Sequence, residues 1–290
     1  MGFLSRNARK LLIVGAGAVA ARAAMKAISS TSAASTLERR NHHGGIVSLK
    51  EGPAAAIGAT TGAVIGARRP SEAAAAAIAG LGSGAVGLYD DVVGARPEHT
   101  AKGLRGHLLA LTEGRVTSGA LKVLGAGLSG LAAAALIDAD GGREVRGGKI
   151  GRVTHTMLGA GVIAGMANLM NLFDLRPGRA LKVATAVTGP LSGRDDASGR
   201  IALGTMGAAS ALLPEDLSEE TMLGDCGANA LGALMGLSLA ARSGPVVRGA
   251  LLAGITALTL TSEKVSFTQV IADTPVLRHL DEFGRKSPNR

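Results

Sequence analysis

Four aspartates stand at the ends of apolar stretches. Asp90 and Asp91 lie in Gly87-Leu88-Tyr89-Asp90-Asp91-Val92. Asp174 closes Asn168-Leu169-Met170-Asn171-Leu172-Phe173-Asp174, and Asp225 opens Leu223-Gly224-Asp225-Cys226-Gly227-Ala228-Asn229. An ionised side chain at membrane depth costs about 2.5–3.5 kcal/mol even on the lenient insertion scales, so such residues point to function. Adjacent carboxylates repel one another unless a cation neutralises them. Four on one face suggest a hard divalent ion, Mg²⁺ where phosphates are handled, with Mn²⁺ as the alternative. One such acid alone reads as an ordinary loop acid; the set reads as a site. Cys226 is the only cysteine, so an intrachain disulfide and a cysteine metal cluster are both excluded.

The segments that would position these acids recur along the chain. Apolar stretches run over about 11–28, 53–67, 73–89, 119–137, 153–171, 180–192, 200–213, 226–241 and 246–261. Each is apolar all round, as a helix in lipid or in a large core is. Of the 290 residues 47% are hydrophobic and only 18% charged, where a soluble domain carries about 25% charge. The 43 glycines suit close helix packing in lipid. The expectation is an all-α, polytopic membrane protein of about nine to ten transmembrane helices, a single domain over 1–290 with a cytoplasmic tail over 262–290. Arg6, Arg9 and Lys10 precede the first stretch as in a secretory signal, but the spans that follow make it a retained helix. Alternate crossings put Asp90, Asp91, Asp174 and Asp225 on one side. Lys and Arg are too evenly divided between the loops to fix which side that is.

Two other readings fall away. Leu12-Ile13-Val14-Gly15-Ala16-Gly17-Ala18-Val19-Ala20-Ala21-Arg22 fits a dinucleotide-binding fingerprint, with Glu38 at a suitable distance. The strands and amphipathic helices that the fingerprint needs do not follow it, so its glycines read as a helix-packing face. The net charge of +9 is spread between apolar segments, which fits anionic lipid headgroups; no nucleic-acid partner is expected.

With the Asp-Asp pair, Asn-x-x-Asn-x-x-Asp and Gly-Asp-x-Gly in this order, the chain from about Asn41 to Phe267 resembles the polyprenyl-phosphate N-acetylhexosamine-1-phosphate transferases. The resemblance implies a multi-pass protein of the bacterial plasma (inner) membrane with a cytoplasmic active site. That protein would transfer an N-acetylated amino sugar 1-phosphate from a UDP-sugar onto a polyprenyl phosphate, releasing UMP, in cell-envelope polymer synthesis. A homodimer is compatible with it. It implies Mg²⁺ on Asp225, Asp91 and Asp174, with Asp90 and Asp91 beside the lipid phosphate. Lys102, Asn168 and Asn171 would bind substrate, and Arg176 and Arg179 would add charge beside the pyrophosphate. The chain departs from the family where Leu175-Arg176-Pro177-Gly178 replaces Gly-Leu-Asp-Gly, so base recognition is expected to relax or move elsewhere. The family's histidine-rich segment is also missing; His42 and His43 read as loop contacts. The alternative is a catalytically inactive scaffold or transporter of the same fold.

Overall fold

All nine apolar stretches fold as helices in the computed structural model, which describes residues 5–40, 44–94, 118–139 and 148–285. These are α1 (Arg6–Ser29), α2 (Glu51–Gly66), α3 (Pro70–Val93), α4 (Ser118–Ala139), α5 (Gly148–Phe173), α6 (Arg179–Ser192), α7 (Ala197–Leu217), α8 (Gly224–Arg242) and α9 (Pro245–Ser262). Two short helices follow, α10 (Phe267–Asp273) and α11 (Pro275–Glu282). Lys102, His42 and His43 lie outside the described residues. A two-stranded antiparallel ribbon, β1 (Glu38–Arg40) with β2 (Ile46–Ser48), pairs Arg39 with Val47. The apolar periodicity gave no sign of it.

The starts of the helices are written locally. Ser5 accepts the Ala8 N–H to cap α1, and Asp196 accepts the Gly199 N–H to cap α7. Pro70 and Pro245 open α3 and α9, where a missing N–H costs nothing.

α8 is the axis of the bundle. It is buried along nearly its whole length and packs on α2, α3, α5 and α7. Glycines set how close its neighbours come. A Cβ on Gly232 would stand 2.4 Å from the Met166 carbonyl of α5, and one on Gly236 would stand 2.7 Å from the Ile163 Cα. α1, α2 and α7 meet in a second seam. There a Cβ on Gly204 would lie 2.3 Å from the Ala63 nitrogen, and one on Gly17 would lie 2.7 Å from the Gly204 carbonyl. Gly17 of the apparent nucleotide fingerprint is thus a packing residue, while Gly15 faces open space.

Five helices, α1, α3, α4, α5 and α9, are long and apolar enough to cross a membrane. α2 and α6, at 16 and 14 residues, fall short of the ~20 a perpendicular span needs. α7 and α8 are longer, but Arg200, Asp225 and Asn229 lower their hydropathy. Large apolar side chains on the five candidate spans point outward, among them Leu11, Val19, Leu128, Ile150, Val153 and Leu260. An exposed apolar surface of this extent needs an apolar neighbour.

Polar side chains gather at two ends. At one end Arg248, almost fully buried, donates to both Asp138 oxygens and to the His155 and Ala240 carbonyls, joining α4, α5, α8 and α9. At the same end Arg200 pairs with Glu72 and Arg68 with Asp195. The four aspartates of interest lie at the other end.

Two outcomes are expected from this packing. The protein stays in the pellet after alkaline carbonate washing and needs detergent for release. In detergent, Gly204→Val lowers the thermal midpoint, by an amount corresponding to about 1–3 kcal/mol or more of overpacking. Gly249→Val, where a Cβ would meet nothing within 4 Å, leaves it nearly unchanged.

Candidate functional site

The site is built on the first turn of α8, whose opening N–H groups have no partner within the helix. Asp91 supplies two of the acceptors. Its Oδ1 takes the Asp225 N–H at 3.0 Å and its Oδ2 takes the Cys226 N–H at 2.9 Å. The Gly224 N–H bonds to Asp174. Gly224 is a glycine for two reasons: its φ is +62°, and a Cβ there would lie 3.1 Å from an Asp91 oxygen and 2.8 Å from the Leu49 side chain. Gly87, one turn before the Asp-Asp pair, lets α3 close on α8, since a Cβ would stand 2.2 Å from the Asp225 carbonyl.

Asp90 and Asp91 are adjacent but serve different neighbours, because consecutive side chains leave a helix about 100° apart. They sit in a final turn of π-helix, Asp90–Gly94. Asp91 turns to α8. Asp90 turns to α4 and Asp225, and Lys122 of α4 bridges the two acids, donating to Asp225 at 2.6 Å and to Asp90 at 3.3 Å. Arg39 of β1 donates to the Asp91 carbonyl and so ties the ribbon to the end of α3.

Behind this group lies a further set of acids. Glu51, at the start of α2, is fully buried; one of its oxygens accepts the Thr221 hydroxyl and the other has no hydrogen-bond partner among the described residues. Asp216 lies beyond the apolar stretch of α7 and accepts the Gly178 N–H at 3.0 Å. Asp174, Asp216, Glu219, Arg176, Pro177 and Thr221 line a cavity of about 230 Å³. Burial, and then the negative charges of Asp216, Asp225 and Asp91, push Asp174 well above the usual carboxylate range. Burial carries Asp216 up to about 7, against the pull of the Gly178 N–H and of Arg285. Burial, Asp216 and Asp174 raise Glu51 as well.

The structure thus brings Asp90, Asp91, Asp174 and Asp225 to one end of the bundle. Each oxygen of Asp91 accepts one backbone N–H group, so Asp91 also holds the start of α8. Arg179 is almost fully buried and donates to both oxygens of Asp281 at 2.7 and 3.0 Å, which commits it within the protein. Asn171 donates to Asn229 at 2.6 Å. Asn168 is exposed on α5, outside this network, and Arg176 is exposed at the rim of the cavity. Pro177 leaves its loop without an acid, but Asp216 and Glu219 bring carboxylates to the same cavity. Lys122 was legible in principle: it is an ionisable residue in an apolar stretch, the criterion that singled out the acids. Glu51 and Asp216 had no motif to mark them.

The donor set suits a hard cation, being carboxylate oxygens under mutual repulsion. Among the described residues no three His, Cys, Asp or Glu side chains converge as a ready-made metal cage. Mg²⁺ needs no such cage, since it is held by one or two carboxylates with waters and substrate phosphates completing its shell. No protein-family model matches the chain, and no curated protein matches it.

The raised carboxyls fix a pH dependence. A carboxyl whose folded pKa lies above its unfolded value favours the fold while protonated, and that contribution is lost as pH rises through the folded value. Without divalent ions, the thermal midpoint in detergent is expected to fall from about pH 4, where the unfolded carboxyl ionises, to about pH 7, where folded Asp216 does, and to level off above that. Asp216→Asn flattens the fall, and Mg²⁺ or Mn²⁺ reverses part of it in the wild type.

Proposed function

We propose that this chain is a membrane phosphoglycosyl transferase, moving an amino-sugar 1-phosphate from a UDP-sugar onto a polyprenyl phosphate with release of UMP. The observation that carries the reading is the convergence of Asp90, Asp91, Asp174 and Asp225, from three distant parts of the chain, around the first turn of α8. On this reading nine helices span a bacterial plasma membrane and the acidic end faces the cytoplasm.

The reaction forms a bond from an oxygen of the lipid phosphate to the sugar-linked phosphorus and breaks the bond from that phosphorus to the UMP oxygen. Such a transfer asks for positioning and charge neutralisation more than for covalent chemistry from the protein. A bound Mg²⁺ would neutralise the pyrophosphate and the developing charge on the leaving group. Asp225, Asp174 and Asp91 are the residues that would hold it. Asp90 lies where it can orient the lipid phosphate or accept its proton. Asp91 keeps the first turn of α8 in place. Lys122, held between Asp90 and Asp225, would offer its ammonium to a phosphate bound beside those two acids. Arg176, at the rim of the cavity, supplies a guanidinium suited to phosphate geometry. Asp216 and Glu219 are the acids available to a nucleotide there.

One observation favours the alternative of an inactive scaffold or transporter: Lys122 bridges Asp90 and Asp225, so part of their charge is balanced from within the protein. Turnover separates the two readings. Purified protein with a polyprenyl phosphate and a panel of UDP-sugars is expected to release UMP in the presence of Mg²⁺. Asp225→Asn should lower that release by about 10²-fold or more while keeping the wild-type elution profile in detergent. Lys122→Met should lower it as well, and should enlarge the thermal shift on adding Mn²⁺, because the acids lose their internal counter-ion. No UMP release from any donor would favour the scaffold.

A further inference from the structure

The chain beyond α9 folds back over the acidic end with its polarity inverted. Asp281 of α11 faces inward, where Arg179 grips both its oxygens and Arg285 adds a third contact at 2.7 Å. Lys182 donates to the Leu280 and Asp281 carbonyls at 3.1 and 2.8 Å. Burial alone would raise Asp281, but the hydrogen bonds and charges of Arg179 and Arg285 hold its carboxyl below its ordinary range. Arg179 also donates to Thr268, and Phe267 stacks on Phe173 with ring centres 5.5 Å apart. The protein-facing side of this segment is therefore largely ionic.

Its outer side carries an apolar stripe, with His279 exposed beside it. Val276, Leu280 and Phe283 are 70%, 59% and 71% exposed, and their spacing of four and three residues puts them on one stripe. A helix on a soluble protein turns such a stripe inward and its charges outward. Here the acid is inside and the stripe outside, so the medium beyond α11 must itself be apolar. Leu258 and Leu260 of α9, and Val265 and Val270 between α9 and α11, are exposed as well. Lys264 and Arg278 belong to the same segment, and Lys286 and Arg290 follow in the sequence.

We infer that α11 is an interfacial helix, lying on the phospholipid surface with Val276, Leu280 and Phe283 sunk to the headgroup–acyl boundary and the basic side chains among the phosphates. The inference rests on the membrane part of the proposed function and not on its chemistry. It gives the acidic end a fixed height in the bilayer. Arg285 donates to the Pro177 carbonyl at 3.0 Å, so the seated helix also braces the loop that follows Asp174.

The chain has no tryptophan, which allows a direct test in the full-length protein. Single variants Leu280→Trp, Phe283→Trp, Glu282→Trp and Leu128→Trp are reconstituted in phosphatidylcholine–phosphatidylglycerol vesicles, with or without brominated acyl chains. Leu128, on α4, is the benchmark for a lipid-facing span, and Glu282 for the polar side of α11. Quenching of Leu280→Trp and Phe283→Trp at least about twice that of Glu282→Trp, together with strong quenching of Leu128→Trp, is the expected result. Quenching of Leu128→Trp alone, with the α11 positions no different from Glu282→Trp, overturns the inference and leaves the membrane reading intact. Absence of quenching at Leu128→Trp as well overturns the membrane reading itself. Shielding of the α11 positions that grows with dimer formation on cross-linking assigns the stripe to a second copy and overturns the lipid assignment.

Discussion

Capping the first turn of α8 is the constraint on which the acidic end depends. The axis of a helical bundle begins with N–H groups that need acceptors, and a buried helix cannot leave them to water. Asp91 and Asp174 meet the need from α3 and from the end of α5. Carboxylates suit the positive end of a helix dipole. This fixes the ends of α3, α5 and α8 relative to one another, and the positions of Asp90 and Asp225 follow. Gly87 and Gly224 are glycines because the backbones must come this close.

The same arrangement concentrates negative charge. Asp90, Asp91, Asp174, Asp225, Glu51 and Asp216 stand at one end, and the described cations that reach them directly are few. Lys122 relieves Asp90 and Asp225, while Asp174, Asp216 and Glu51 carry theirs as raised pKa values. Clustered carboxylates of this kind favour protons or cations, and the proposed divalent ion rests on that.

The helices were legible because each apolar stretch is long and closed by polar residues, and all nine expected segments coincide with helices. The acids were legible for the same reason, as charges at the ends of such stretches. What escaped is tertiary. The ribbon over 38–48 is too short to show a strand period. Glu51 and Asp216 look like any helix-end acid until the fold brings them behind Asp174. Arg179 looked available because its partner, Asp281, lies 102 residues further on. Pro177 removes an acid from one loop, but only the fold shows that α7 brings Asp216 to the same cavity.

At the opposite end, Arg248 uses all of its donors. Nε, Nη1 and Nη2 together make five hydrogen bonds, to Asp138, His155 and Ala240, which saturates a guanidinium. Removing one partner from a buried pair of this kind costs about 3–5 kcal/mol, so that end does not open in ordinary thermal motion. The two ends therefore differ in compliance. α4, α5, α8 and α9 are riveted where Arg248 sits, and at the acidic end these helices are held mainly by ion pairs and caps that a cation or a phosphate can replace. On the proposed function, a ligand entering at the acidic end would part the helix ends while the Arg248 end stays fixed. The lever arm is the length of α8, about 28 Å for its 19 residues.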